Sequence, residues 1–158
     1  MRRREFITLL SSVAAAWPRA VLAQQGYQRF IPFLIELPGW TGLKPVGTDG
    51  ERKGGRVTSA LRGYLRGDAR FNASIISGTV ALAASNDGVH ITVGGVHKST
   101  STIEGFQVTT QTSPVFVIIA ITLGPDAMFN LFFNNVSEEE AMTIAQKFDW
   151  KGIQQLVN

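Results

Sequence analysis

The stretch RVTSALRGYLRGDARFNASIIS, residues 56–77, restricts the fold more than any other part of the chain. Gly67-Asp68 favours a tight turn and separates two runs of alternating side chains, the pattern of a β-hairpin. Successive side chains of a strand point to opposite faces. One face of the first strand then carries Arg56, Thr58, Arg62, Tyr64 and Arg66, and the other carries Val57, Leu61 and Leu65. The stretch predicts an antiparallel sheet.

The rest of the chain adds strands and ends in a helix. IEGFQVTTQ and VFVIIAITL each predict a strand, the second apolar on both faces as in the middle of a sheet, and AMFNLFFNN predicts another after a turn at residues 124–126. Ser137 followed by Glu140 is a capping box, and Asp149 is expected to cap a final turn. Apolar residues then recur at helical spacing: Ala141, Ile144, Ala145 and Phe148. This order predicts an α+β fold, an antiparallel β-sheet covered on one face by a C-terminal amphipathic helix.

Residues 24–55 show no sustained periodicity. RFIPFLIELPGW is apolar, but Pro32 and Pro38 disfavour a long helix or a central strand, and the polar glycine-rich GTDGERKGG follows. We expect an extended N-terminal segment and loop that packs on an α+β domain of residues 56–158, with residues 24–158 forming one folding unit. The expected anchors of the segment are Phe33, Ile35 and Trp40.

The chain begins MRRREFITLL, a basic head followed by apolar residues. Residues 1–23 run from basic to apolar to small residues, the order of a secretory signal peptide, and cleavage is expected between Ala23 and Gln24. The head resembles the twin-arginine signal, Arg-Arg-x-Phe-Leu, through Arg3, Arg4 and Phe6. The resemblance implies delivery of the folded protein to the bacterial periplasm by the twin-arginine translocase. An ordinary secretory signal with adjacent arginines is the alternative.

Recognition of this signal changes the interpretation of the charge. The whole chain carries +3, from 15 Lys and Arg against 12 Asp and Glu, and its pI is about 9.6. Residues 1–23 hold four of the basic residues and one of the acidic ones, so residues 24–158 keep 11 of each. A nearly neutral mature chain argues against nucleic-acid binding. Its longest apolar run, residues 115–123, is too short to span a bilayer, which takes about 20 residues.

The mature part resembles a loosely defined group of small, uncharacterised exported proteobacterial proteins. The matching stretches are LPGW, RGYLRGDARFNASIISG, IEGFQV and AQKFDWKGIQQLV, which span most of residues 37–157. All four stretches are structural rather than catalytic. The resemblance therefore implies export and no particular activity or cofactor.

Five residues of the hairpin suggest a site for an anionic ligand, such as a carboxylate, a phosphate or a lipid headgroup. They are Arg56, Arg62, Tyr64, Arg66 and Arg70. The alternative is a solvated sheet face on which the arginines also guard an edge. The apolar stretches also have two interpretations. They form ordinary core packing, or they form a pocket or patch for an apolar ligand or a partner protein.

The chain has no cysteine, and its histidines are His90 and His97. A hairpin turn at Gly94-Gly95 would bring both imidazoles within reach of one metal ion, with Asp87 or Glu104 completing the shell. Two independent histidines are the alternative. No spacing typical of a metal site and no motif of a hydrolase nucleophile or phosphate loop is present.

These observations predict a periplasmic binding or accessory protein without catalytic activity. The alternatives are a metal-binding protein or enzyme that uses the two histidines, and a structural protein of the envelope.

Overall fold

The computed structural model describes residues 26–52, 55–78 and 95–157. The described part contains a 3-10 helix (Tyr27–Phe33), eight strands and two α-helices. The strands are β1 (Thr41–Gly42), β2 (Val46–Arg52), β3 (Gly55–Arg66), β4 (Ala69–Gly78), β5 (His97–Ile103), β6 (Phe106–Thr112), β7 (Phe116–Gly124) and β8 (Ala127–Asn134). The helices are α1 (Glu138–Ala145) and α2 (Trp150–Val157). The predicted signal peptide and cleavage site lie outside the described residues.

The strands form one antiparallel sheet in the order β1-β3-β4-β8-β7-β6-β5, and β2 pairs with the same side of β3 as β1. The predicted hairpin is confirmed, because Arg66 pairs with Ala69 around a turn in which Gly67 has a φ of 56°. The central position predicted for VFVIIAITL is also confirmed, since β7 lies between β6 and β8. The antiparallel α+β architecture therefore agrees with the prediction.

Two local predictions are wrong. GTDGER, expected in a loop, belongs to β2, which pairs with β3 from Val46 opposite Leu61 to Arg52 opposite Gly55. An edge strand tolerates glycines and charges because one of its sides is solvated. IEGFQVTTQ, expected as one strand, contains a two-residue turn in which Glu104 and Gly105 have φ angles of 51° and 87°. Glutamate rarely adopts a positive φ, so the composition of this turn does not reveal it.

The face of the sheet that we call the inner face carries the core. In register across the sheet, Val117 pairs with Phe133, Phe133 with Phe71, and Phe71 with Tyr64. The rings of Tyr64 and Phe71 stack with centroids 4.3 Å apart, and those of Phe71 and Phe133 with centroids 4.8 Å apart. Burial of such aromatic side chains is a large part of the stability of a small domain.

The C-terminal segment forms two short helices where one helix and a final turn were expected. The predicted caps are confirmed: Ser137 Oγ accepts from the Glu140 N–H at 3.2 Å, and Asp149 Oδ1 accepts from the Gly152 N–H at 2.8 Å. Both helices contact β7. Their apolar side chains, with those of the 3-10 helix region, belong to the same core as the inner face. No helix of the described residues is long and apolar enough to cross a membrane.

Candidate binding surface

Both interpretations of the hairpin required Arg62 to lie on a solvated face. In the structure it does not. Its side chain is 10% exposed, and Nη1 donates to the Leu34 carbonyl at 2.8 Å while Nε donates to the Leu43 carbonyl at 2.9 Å. Nη2 forms an ion pair with Glu36, whose side chain is 76% exposed. Because its donors are directed at the protein's own backbone, Arg62 ties residues 34–43 to the sheet.

Tyr64 is buried in the same place. Its hydroxyl donates to the Ile35 carbonyl at 2.9 Å, and its ring stacks on Phe71. Burial raises the pKa of Tyr64 to about 12, partly opposed by the positive charge of Arg62. The phenol therefore stays protonated and holds the N-terminal segment beside Arg62.

The other three arginines do not complete a patch with these two. Arg66 lies over the Trp40 ring at 4.2 Å and donates to a Glu140 carboxylate oxygen at 2.6 Å, which holds the pKa of Glu140 below its usual value. Arg56 is ten residues from Arg66 along β3, which corresponds to about 33 Å in a strand. Arg70 points to the opposite face, since it pairs with Leu65. The structure does not bring the five predicted anion-binding residues together.

His97 is exposed at the start of β5, opposite Thr112, whose hydroxyl donates to Glu138 at 3.0 Å. Glu104 follows the other end of β5, about 23 Å along a strand from His97, so the two cannot share one ion. His90 and Asp87 lie outside the described residues. Among the described residues, no group of three His, Cys, Asp or Glu side chains could hold a metal. A site shared by His90 and His97 stays a prediction.

The sheet's other face, which we call the outer face, carries an unexpected apolar patch. We define the apolar patch as Leu43, Val46, Leu61 and Leu65, whose exposed fractions are 47%, 56%, 40% and 42%. Val46 pairs with Leu61 across the β2–β3 ladder. Gly63 lies between the two leucines of β3, and a Cβ there would be 3.0 Å from Leu43 Cδ1. The missing side chain thus lets Leu43 bridge the gap and makes the patch continuous.

Beside the patch, the outer face is nearly uncharged and mixes polar side chains with apolar ones such as Ile76, Ile118 and Met128. Its amide and hydroxyl side chains on β4, β6, β7 and β8 are Asn72, Ser74, Gln107, Thr109, Gln111, Thr122, Asn130 and Asn134. Among them, Phe132 is exposed and stacks on Phe116 with ring centroids 5.7 Å apart. On strands β3 to β8 the charged residues of this face are Arg70 and Lys98, both at its rim. The face offers apolar contact and neutral hydrogen-bonding groups.

An open groove of about 550 Å³ lies beside α1, bordered by Glu138, Glu139, Met142 and Thr143. The two carboxylates occupy the first turn of the helix, where negative charge interacts favourably with the helix dipole. That role accounts for them without a ligand. The groove adds no catalytic or metal-binding group to the site.

Comparisons of this chain with protein families, with curated proteins and with solved structures found no match. The resemblance to exported proteobacterial proteins therefore stays a prediction.

Proposed function

We propose that the protein is exported to the periplasm by the twin-arginine route and acts there as a non-catalytic binding protein. Its binding surface is the outer face of the sheet, and its partner is another envelope protein with an uncharged, partly apolar surface. The apolar patch is the observation that carries this proposal. The two C-terminal helices and the 3-10 helix serve as the cover of the inner face, which leaves the outer face for binding.

The exposure of the patch supports a binding role. Leu61 and Leu65 lie in the same strand as the fully buried Ala60 and Tyr64, yet two-fifths of each leucine remains in water. Contiguous apolar surface rimmed by polar groups is typical of protein interaction sites, whereas scattered apolar residues are ordinary. Contact with a partner would remove this surface from water at about 25 cal/mol per Å².

The chemistry of the rest of the face supports a neutral protein partner. Side-chain amides and hydroxyls both donate and accept, so they pair with a backbone or with other amides but attract no particular charge. A charged partner would lack counterions here, because Arg70 and Lys98 lie at the rim. Side chains that stand perpendicular to a sheet form a broad surface, while small ligands prefer concave sites.

Site-specific photo-crosslinking in living cells tests the binding surface. Leu61 or Leu65 is replaced by photoreactive benzoylphenylalanine, and Thr102 receives the same replacement as a control on the outer face at the opposite edge. We expect one adduct of defined mass from the two leucine positions and none from Thr102. The adduct should disappear when Leu43→Ser is added, because this substitution divides the apolar patch.

Three results would overturn the proposal: no adduct, equal adducts from Thr102, or an adduct insensitive to Leu43→Ser. An adduct of lipid mass would replace the protein partner by a small apolar ligand. Circular dichroism of each variant verifies that the fold is retained, as expected for substitutions of half-exposed side chains.

Export is tested separately. Replacing Arg3→Lys together with Arg4→Lys should leave the precursor in the cytoplasm, whereas Arg2→Lys preserves the pair and should not. N-terminal sequencing of the exported protein should begin at Gln24. Unchanged export of the double variant would refute the twin-arginine route.

A further inference from the structure

Asn72 is a polar side chain set between two apolar parts of the outer face. It lies on β4, where it pairs with Gly63 on one side and with Phe132 on the other. Gly63 lies between Leu61 and Leu65 of the apolar patch, and Phe132 is 37% exposed. Asn72 is itself exposed. In this row of the sheet, one carboxamide therefore interrupts an apolar surface.

The carboxamide of Asn72 extends toward the apolar patch. Gly63 has no side chain, and a Cβ at this position would be 3.2 Å from Asn72 Oδ1 and 3.0 Å from Leu43 Cδ1. Cβ atoms of directly paired residues are about 4.5–5.5 Å apart, so the shorter distance requires the side chain of Asn72 to lean over β3. The space above Gly63 is shared by an apolar methyl group and an amide.

An amide in this place carries hydrogen-bonding capacity that a partner has to satisfy. It offers one oxygen acceptor and two N–H donors. A partner that covers the patch also removes water from the amide. If nothing replaces that water, the unsatisfied group weakens binding by roughly 5- to 150-fold. A wholly apolar partner is therefore penalised in proportion to how completely it covers Asn72.

We propose that Asn72 determines the specificity of the outer face by selecting a partner protein that places an asparagine or glutamine side chain between two apolar ones. This inference rests on the proposed role of the outer face in binding. The two apolar side chains of the partner contact the apolar patch and Phe132, which lie two strands apart, about 10 Å. The carboxamide between them pairs with Asn72.

The chemistry of the amide favours a second amide as its counterpart. Two carboxamides can form two hydrogen bonds at once, because each presents an oxygen and an N–H side by side. A carboxylate only accepts and an ammonium group only donates, so neither can form this pair. A single asparagine in an apolar contact is known to restrict the choice of partner in coiled coils, at some cost in affinity.

Binding of Nile red, a neutral apolar dye, measures the penalty against apolar partners. In Asn72→Leu protein we expect the dissociation constant of the dye to fall roughly 5-fold or more, because the dye has no amide to match Asn72. Gln107→Leu is the matched control, since Gln107 is an exposed amide on β6, away from the patch. Its dissociation constant should stay within about 2-fold of the wild type.

The origin of the gain in dye binding can be verified with a second substitution. Adding Leu43→Ser to Asn72→Leu should abolish the gain, because the dye then loses the continuous patch. A loosened fold would bind the dye through its core and would keep the gain. Persistence of the gain in the double variant would therefore overturn the role assigned to Asn72.

Crosslinking in cells measures selection of the true partner. The protein adduct from benzoylphenylalanine at Leu61 should decrease roughly 5- to 10-fold with Asn72→Leu, and also with Asn72→Asp, which keeps the shape but removes the donors. It should persist with Gln107→Leu. Mass spectrometry of the digested adduct should find asparagine or glutamine among apolar residues in the crosslinked segment of the partner.

Several results would overturn this inference alone: an adduct that persists with Asn72→Leu or Asn72→Asp, unchanged dye binding in Asn72→Leu, or a crosslinked segment without asparagine or glutamine. Each of them leaves the outer face as the binding surface. A wild-type chain that yields no protein adduct would refute the proposed function, and this inference with it. The two failures are therefore distinguishable.

Discussion

Replacing Arg62 by methionine should destabilise the protein severely, although methionine is similar in length and apolar. Arg62 donates to two main-chain carbonyls of the N-terminal segment, at Leu34 and Leu43, and both bonds come from a charged donor. In the Arg62→Met protein, the two carbonyls lose their partner while the surrounding residues still exclude much of the water. Residues 34–43 then lose their strongest polar attachment to β3.

The size of the effect follows from these bonds. A hydrogen bond from a charged group contributes about 1.5–3 kcal/mol, so two of them amount to about 3–6 kcal/mol. Removing a buried charge recovers part of its desolvation cost, which leaves an expected loss of about 3–5 kcal/mol. The ion pair to Glu36 should matter little, since that carboxylate is largely exposed, and Glu36→Ala should cost less than about 1 kcal/mol.

Urea unfolding followed by tryptophan fluorescence and far-UV circular dichroism measures the difference. With a slope of about 2 kcal/mol per molar urea, the expected loss lowers the midpoint by about 2 M. Arg56→Met is the matched control, because Arg56 is an exposed arginine of the same strand, and it should change stability by less than about 0.5 kcal/mol. A stability of Arg62→Met within about 1 kcal/mol of the wild type, or an equal cost for Glu36→Ala, would contradict this role of the two carbonyl bonds.

Three further predictions concern neighbouring residues. Gly42→Ala should lower the free energy of unfolding by about 1–3 kcal/mol, because the added methyl would meet the buried guanidinium, while Gly50→Ala, with open space around the new Cβ, should not. The Tyr64 phenol ionises near its ordinary pKa of 10.0 in the unfolded chain and near 12 in the folded one. Its contribution to the free energy of unfolding should therefore be complete below pH 10 and decrease as the pH rises to 12. In Tyr64→Phe, the free energy of unfolding measured with urea should lack this decrease. Arg66→Gln should cost under about 1 kcal/mol and shift the fluorescence of Trp40, and high salt should reduce the difference in stability.

Local chemistry explains what could be predicted correctly. The turn at Gly67-Asp68, the caps at Ser137 and Asp149, and the central position of β7 all depend on residues close together in the chain. Turns and caps are determined by the φ preference of one residue or by one side-chain oxygen. The turn at Glu104-Gly105 escaped prediction because glutamate is an uncommon residue at positive φ.

The location of the apolar patch could not be obtained in the same way. Alternation shows that Leu61 and Leu65 share a face and that Arg62 and Tyr64 share the other, but it does not show which face is buried. Charge favoured a solvated arginine face. Arg62 is buried nevertheless, because backbone carbonyls from 19 and 28 residues away in sequence meet its guanidinium. The partners that make burial of this charge possible come from a different part of the chain.

The sequence by itself determined that the chain contains an antiparallel hairpin and a C-terminal helical segment, since each is a local pattern of spacing or turn chemistry. Only the tertiary structure decided which face of the hairpin became the core. It also joined Leu43 and Val46 to the leucines of β3. Burial depends on the sum of contacts from distant segments, and such a sum is not present in any short stretch of sequence.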